Sequence, residues 1–176
     1  MRSRVTAIVV SIFLSALAIR ADGDAVKVRT AVSVDKVKQG APFQAAVILE
    51  IVPGYHINSN VPSEDYLIPT KVELSKLNGV TFGPVSYPAA ETRKFSYSDK
   101  PLDVYEEKAV MKFTVRPTGL PVGKHVIRAK VTYQACNDQA CLAPQTVAVE
   151  IPIEVVDAKQ TVKQINQDIF PPARKK

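Results

Sequence analysis

From Val26 onward the side chains change character at every second residue. Val26, Val28, Thr30, Val32 and Val34 alternate with Lys27, Arg29, Ala31 and Ser33. A helix would repeat its apolar positions every three or four residues, whereas a strand sends successive side chains to opposite faces. The same two-residue period returns at Ala109, Met111, Phe113 and Val115, and at Ile127, Ala129, Val131 and Tyr133. It is clearest at Val147, Val149, Ile151, Ile153 and Val155, opposed by Thr146, Ala148, Glu150, Pro152 and Glu154. Phe43 to Ile51 is a further strand candidate, and Gly54 to Asn58 a short one; Lys71 to Leu74 and Val80 to Val85 are weaker. Turn signals separate these runs at Gln39-Gly40, Pro53-Gly54, Asn78-Gly79, Pro117 to Gly119 and Pro121 to Gly123. Pro152 lacks a ladder donor, so the last strand is expected at a sheet edge or bulged there.

About seven to nine short strands between Val26 and Val156 predict an all-β chain, an immunoglobulin-like β-sandwich with a short C-terminal tail. In that tail the apolar spacing of Val162, Ile165, Ile169 and Phe170 predicts one short helix over Gln160 to Phe170. Pro171-Pro172 would stop it, with frayed residues beyond. Apolar residues make up 46% of the 176-residue chain and charged residues 23%, enough to fill a core without metals or a dense disulfide network.

The net charge of +6 belongs to the chain ends. Arg2, Arg4 and Arg20 open the chain and Arg174, Lys175 and Lys176 close it; setting them aside leaves 17 basic residues against 17 acidic ones. A nucleic-acid binder needs a basic stripe on its folded body, and no nucleic-acid partner is expected. The N-terminal bases precede an almost wholly apolar run from Val5 to Leu17, then the small-x-small pattern Ala16-Leu17-Ala18. That is the layout of a secretory signal, with cuts after Ala21 or Ala25 also possible. The run is shorter than the roughly 20 residues a spanning helix needs, so a cleaved signal is favoured over an anchor. The expected organisation is a signal peptide at 1–21, one domain at 22–157 and a tail at 158–176. The mature protein is expected to be periplasmic or otherwise exported, where disulfides persist.

One feature carries chemistry. The two cysteines, Cys136 and Cys141, lie between the last two strong strands in Tyr133-Gln-Ala-Cys-Asn-Asp-Gln-Ala-Cys-Leu-Ala-Pro144. A hairpin-like connection would bring them within bonding reach. A disulfide closing so small a loop contributes about 2 kcal/mol in the chain-entropy model, near the bottom of the usual range. A bond at a loop tip is also open to attack, as exchanging disulfides are. These considerations leave a redox pair and a structural staple both standing. A metal site has less support, because His56 and His125, the only histidines, stand at no recognisable ligand spacing. No phosphate-binding glycine loop, serine nucleophile motif or paired-carboxylate pattern is present, and no cofactor is expected.

The cysteine motif with its flanks resembles the N-terminal periplasmic domain of the DsbD family of thiol:disulfide interchange proteins. Pro53-Gly-Tyr-His-Ile-Asn58 resembles that family's Gly-Tyr-rich strand near the redox site. Lys94-Phe95-Ser96-Tyr97, with Val104-Tyr105 after it, resembles the loop that caps the cysteines and the following strand. The likeness extends over roughly Val26 to Val156. It implies an immunoglobulin-like domain that takes electrons from a membrane-embedded donor and passes them to thioredoxin-like periplasmic proteins, of disulfide-isomerase or cytochrome c maturation type. It implies further that Cys141 exchanges with partners, that Cys136 resolves the mixed disulfide, and that Phe95 shields the pair and swings away on docking. Tyr97, Tyr55 and His56 would line the site.

This chain departs from that pattern in three ways. Four residues separate its cysteines, where some members have five. Arg93-Lys94 precede the cap aromatic where acidic residues often stand, so an acid–base role for such a pair does not transfer. The membrane and thioredoxin domains of full-length members lie outside these 176 residues, so the donor is expected on a separate chain. Beside this reading stand an exported interaction module with a structural disulfide and a periplasmic metal chaperone. Asp138 would raise a nearby thiol pKa, whereas His56, Arg93 or Lys94 would lower it on approach. Tyr105 and Tyr133 read as ordinary half-buried sheet aromatics, and Glu64-Asp65 and Glu106-Glu107 as solvated charge.

Overall fold

The computed structural model describes residues 25–172; the expected signal peptide at 1–21 and the last four residues lie outside them. Twelve strands form three four-stranded sheets, and no helix occurs among the described residues. In chain order the strands are β1 (Val26–Val32), β2 (Val37–Lys38), β3 (Phe43–Ile51), β4 (His56–Asn58), β5 (Lys71–Leu74) and β6 (Val80–Phe82). They continue as β7 (Glu91–Arg93), β8 (Leu102–Glu106), β9 (Lys108–Pro117), β10 (Gly123–Tyr133), β11 (Ala135–Cys136) and β12 (Gln145–Val156). The sheet orders are β1-β3-β9-β6, β2-β12-β10-β5 and β11-β4-β8-β7.

The alternation sets the packing. Val47, Leu49, Met111, Phe113 and Val115 from the first sheet meet Ile127, Ala129, Val131, Ile151 and Ile153 from the second in one buried core. This is the all-β, immunoglobulin-like sandwich the periodicity predicts. Along β12, Val149, Ile151, Ile153 and Val155 are buried while Ala148, Glu150, Pro152 and Glu154 are exposed. The strand pairs with β10 throughout but with β2 only at Val155 and Val156. Pro152 therefore sits where the other flank of the strand has no ladder partner among the described residues, and a missing N–H does little harm. The turn at Asn78-Gly79 also holds. Gly79 has φ +77°, and a Cβ there would come within 2.7 Å of the Gly119 backbone, so both conformation and space demand glycine.

The C-terminal segment is not the helix its apolar spacing predicts. Its backbone pairs with the turn after β1: Ile165 N–H donates to Ser33 O, Asp35 N–H donates to Lys163 O, and Gln164 bridges Val34. Donors satisfied this way are not available to an intrahelical ladder. The chain then lays Ile169 and Phe170 against Ala46 and Ile48 on the outer face of β3. This explains the unbroken apolar run of β3, which is covered on both sides. Lys112 reaches over the Phe170 ring at 5.9 Å and donates to Ile169 O. Replacing Phe170 with alanine should cost about 2–4 kcal/mol, because a buried aromatic is lost from a small satellite cluster. The midpoint of denaturant unfolding measures it, and an unchanged midpoint would mean that the strap contributes no packing.

Candidate redox site

The third sheet is small, and its two faces differ. Ile57, Tyr105 and Ala135 point into the main core. Cys136, His56 and Asn58 alternate with them and therefore share the opposite face with Leu102, Val104 and Glu106. On that outer face Leu67, Phe95, Leu102 and Val104 form a separate buried cluster. The cap segment between β7 and β8 lies over it. Phe95, from this segment, is only 8% exposed although its neighbours Lys94, Ser96 and Tyr97 are exposed.

Cys136 and Cys141 are joined by a disulfide, with Cα atoms 3.9 Å apart. They do not simply link β10 to β12. The chain leaves β10 after Tyr133, pairs Ala135 and Cys136 with Ile57 and His56 of β4, and doubles back on itself. Asn137 N–H donates to Ala140 O, and Leu142 N–H donates to Ala135 O. These two bonds flank the cysteines, so the pair occupies a non-hydrogen-bonded cross-strand position, where opposed side chains stand closest. Asn137 Oδ1 accepts from the N–H groups of Gln139 and Ala140, both at 2.9 Å, and fixes the tight loop. The two cysteines are placed unequally: Cys136 is fully buried and Cys141 is exposed.

Three rings assemble beside the pair. His56 is the register partner of Cys136. Its Nε2 lies 2.7 Å from Tyr97 Oη, and the two rings are inclined by only 6°. Phe95 stacks on His56 at 4.0 Å and on Tyr97 at 5.4 Å between centroids. The cap is also tied to the cysteine loop, because Ser96 Oγ donates to Asp138 O at 3.0 Å. A pocket of about 360 Å³ opens alongside, lined by Tyr55, His56, Phe95, Glu106 and Asp138 among others. The residues expected to line the site are thus brought together: Phe95, Tyr97 and His56 as a stack, with Tyr55 at the pocket wall.

Burial pushes the His56 imidazole below its ordinary pKa, opposed by the negative charges of Glu106 and Asp138. Burial likewise raises the Tyr97 phenol, helped by Tyr66 and Asp138. The other cations that could have approached the thiols are committed elsewhere. Arg93 is bound to Glu91 and Glu106, and Lys94 Nζ donates to Ser98 O at 2.6 Å. Glu106 is therefore not merely solvated charge, and Glu64 pairs with Lys100 at 2.8 Å. Tyr105 and Tyr133 are buried members of the main core. Tyr105 Oη also donates to Asn60 Oδ1 at 2.5 Å, anchoring the chain just after β4. Among the described residues no three His, Cys, Asp or Glu side chains gather where they could hold a metal ion. No helix among the described residues is long and apolar enough to cross a membrane.

Sequence inspection did not single out Leu67 or Leu102, read Glu106 only as solvated charge, and named Ser96 only as part of the cap motif. The alternation of Leu102 with Asp103 and Val104 was a visible signal for a strand below the cap. The Ser96 contact, across 42 positions, left none.

The comparisons with known proteins fall on this arrangement. A family model described as thiol:disulfide interchange protein DsbD, N-terminal, matches residues 22–153. Among solved structures, the N-terminal periplasmic domain of ScsB from Proteus mirabilis is similar at TM-score 0.53 and 9% identity. The likeness covers 85% of this chain and 52% of that one, so the chain spans about half the length of that neighbour, and what they share is a fold. The Neisseria meningitidis DsbD N-terminal domain in its reduced form is similar at TM-score 0.40 and 18% identity, over 77% of this chain and 89% of that one. No curated protein matches the sequence.

Proposed function

We propose that this chain, which belongs to the family of N-terminal domains of the thiol:disulfide interchange protein DsbD, is a periplasmic dithiol carrier. It passes electrons from a membrane-embedded donor on a separate chain to thioredoxin-like partners, of disulfide-isomerase or cytochrome c maturation type. The exchange domain is residues 22–157; it follows a cleaved leader at 1–21 and precedes a tail at 158–176 whose Ile169 and Phe170 pack back on β3.

The observation that carries this reading is the unequal burial of the two cysteine residues at the tip of a hairpin beside an aromatic cap. In the reduced domain the accessible Cys141 thiolate attacks a partner disulfide. One partner sulfur leaves as thiolate and a Cys141–partner disulfide forms. Cys136 then attacks Cys141 Sγ, re-forms the internal disulfide and releases the partner as a dithiol. Two electrons pass to the partner. A bond meant only for stability gains little from so short a loop.

The reduction potential of the pair separates exchange from a staple. Equilibrated with a thioredoxin-like protein, it should settle between about −120 and −270 mV, the span of that partner class. A potential below about −300 mV would mark a structural bond and end this reading.

A further inference from the structure

We propose that His56 is the acid–base partner of Cys136, taking the proton from its thiol in the resolving step; this rests on the exchange reading above.

The placement comes from the register. His56 and Cys136 are directly opposed across the antiparallel β4–β11 pair. Opposed residues in such a pair send their side chains to the same face, with Cβ atoms about 4.5–5.5 Å apart. Once the disulfide is open, the Cys136 thiol lies in a fully buried position, where burial disfavours the thiolate. A resolving thiol at such a place needs a base beside it. His56 is 2% exposed, and its ring is clamped by the Phe95 stack and the Tyr97 hydroxyl. With Nε2–H donating to Tyr97 Oη, the lone pair stands on Nδ1, the nitrogen that Tyr97 does not hold.

Charge and solvent access fit the same role. Burial favours neutral imidazole, the form that accepts a proton. The groups facing it are Glu106 from β8, whose carboxylate is shared with Arg93 of β7, and Asp138 from the cysteine loop, with Tyr97 from the cap. Glu106 and Asp138 stabilise the imidazolium once it forms. Both line the pocket onto which His56 opens, so the proton has a route out.

The step balances. The Cys136 S–H proton moves to His56 Nδ1. The sulfur electron pair forms the bond to Cys141 Sγ, and the Cys141–partner bond breaks with its pair on the partner sulfur. The imidazolium then gives its proton to that thiolate or to water.

The test uses the reduced full chain and one equivalent of 5,5′-dithiobis(2-nitrobenzoate), whose coloured thiolate is released twice. The first release reports attack on the probe and the second reports resolution by the other thiol. In the wild type the second rate should rise through an inflection below pH 6.5, the ordinary histidine value, and then level off until the thiol itself ionises. In His56→Gln the plateau should vanish. The rate should be at least ~10-fold slower at pH 7 and converge with the wild type above about pH 9.5. Should His56→Gln fail to fold, Tyr97→Phe serves instead. Loss of the acceptor for Nε2–H lowers the histidine pKa, so the inflection moves to lower pH. Superimposable second-phase profiles in wild type and His56→Gln, or an unmoved inflection in Tyr97→Phe, would overturn the assignment while leaving the exchange reading in place. A wild type showing no second release at any pH would overturn the exchange reading itself.

Discussion

Cys136→Ala should accumulate a mixed disulfide with a thioredoxin-like partner, and Cys141→Ala should accumulate at least ~10-fold less. Attack on a disulfide needs an in-line approach of sulfur to sulfur. Cys141 is exposed on the return arm of the hairpin and can offer it. Cys136 is fully buried on β11, its side chain on the face that the cap covers, so a partner sulfur could reach it only if the cap and its stacked rings moved aside. Removing Cys136 also removes the one internal nucleophile able to release a partner captured by Cys141, so the intermediate persists. Non-reducing electrophoresis after mixing each variant with the oxidised partner measures the ratio. Equal capture by both variants would dissolve the division of roles. Capture by neither would return the pair to the status of a staple.

The division of roles is what the sequence leaves open. The five-residue spacing and the flanking strands show that the cysteines meet, but spacing is symmetric in the two residues. The asymmetry comes from the nested hairpin, and that depends on β11 leaving β10 to pair with β4, some 80 positions earlier in the chain. Two-residue strands such as β11 and β2 carry no periodicity to detect. The long strands β9, β10 and β12 are different: their alternation is itself the burial pattern, and it predicts which side chains fill the core.

The tail shows the opposite failure. Val162, Ile165, Ile169 and Phe170 have helical spacing, yet only Ile169 and Phe170 are buried, and they are adjacent in the chain. What decides the conformation is a competitor invisible locally, the open carbonyl of Ser33 and the Asp35 carboxylate. The latter accepts from Lys163 N–H at 2.7 Å. Backbone partners supplied from 130 positions away override a weak local pattern. The matching clue lay in β3, whose Ala45 to Leu49 run is too continuously apolar for a strand with one face in water. Something had to cover Ala46 and Ile48.

The cap follows the same logic, and it yields the second large effect. Phe95→Ala should speed reduction of the Cys136–Cys141 bond by a small dithiol at least ~10-fold, while leaving the sandwich folded. Phe95 belongs to the outer cluster with Leu67, Leu102 and Val104, which is separate from the main core. Losing its ring removes the stack on His56 and Tyr97 and most of the apolar grip of the cap segment. What remains to hold the segment is the Tyr97 Oη–His56 Nε2 hydrogen bond, Ser96 Oγ on Asp138 O, and the Lys94 and Ser98 contacts within the loop. Hydrogen bonds at exposed sites each contribute only about 1 kcal/mol. The segment should therefore open locally. The global cost cannot exceed the free energy that closed it, because an open cap leaves the two large sheets untouched. Phe113→Ala is the necessary contrast. Phe113 is 2% exposed in the main core, and its truncation should cost about 3–5 kcal/mol of global stability with native-state disulfide reactivity unchanged. Reduction rates measured under native conditions, beside denaturant midpoints for both variants, separate local opening from global loosening. If Phe95→Ala lowered the midpoint as much as Phe113→Ala did, with no gain in reduction rate, Phe95 would be a core residue and the cap no shield.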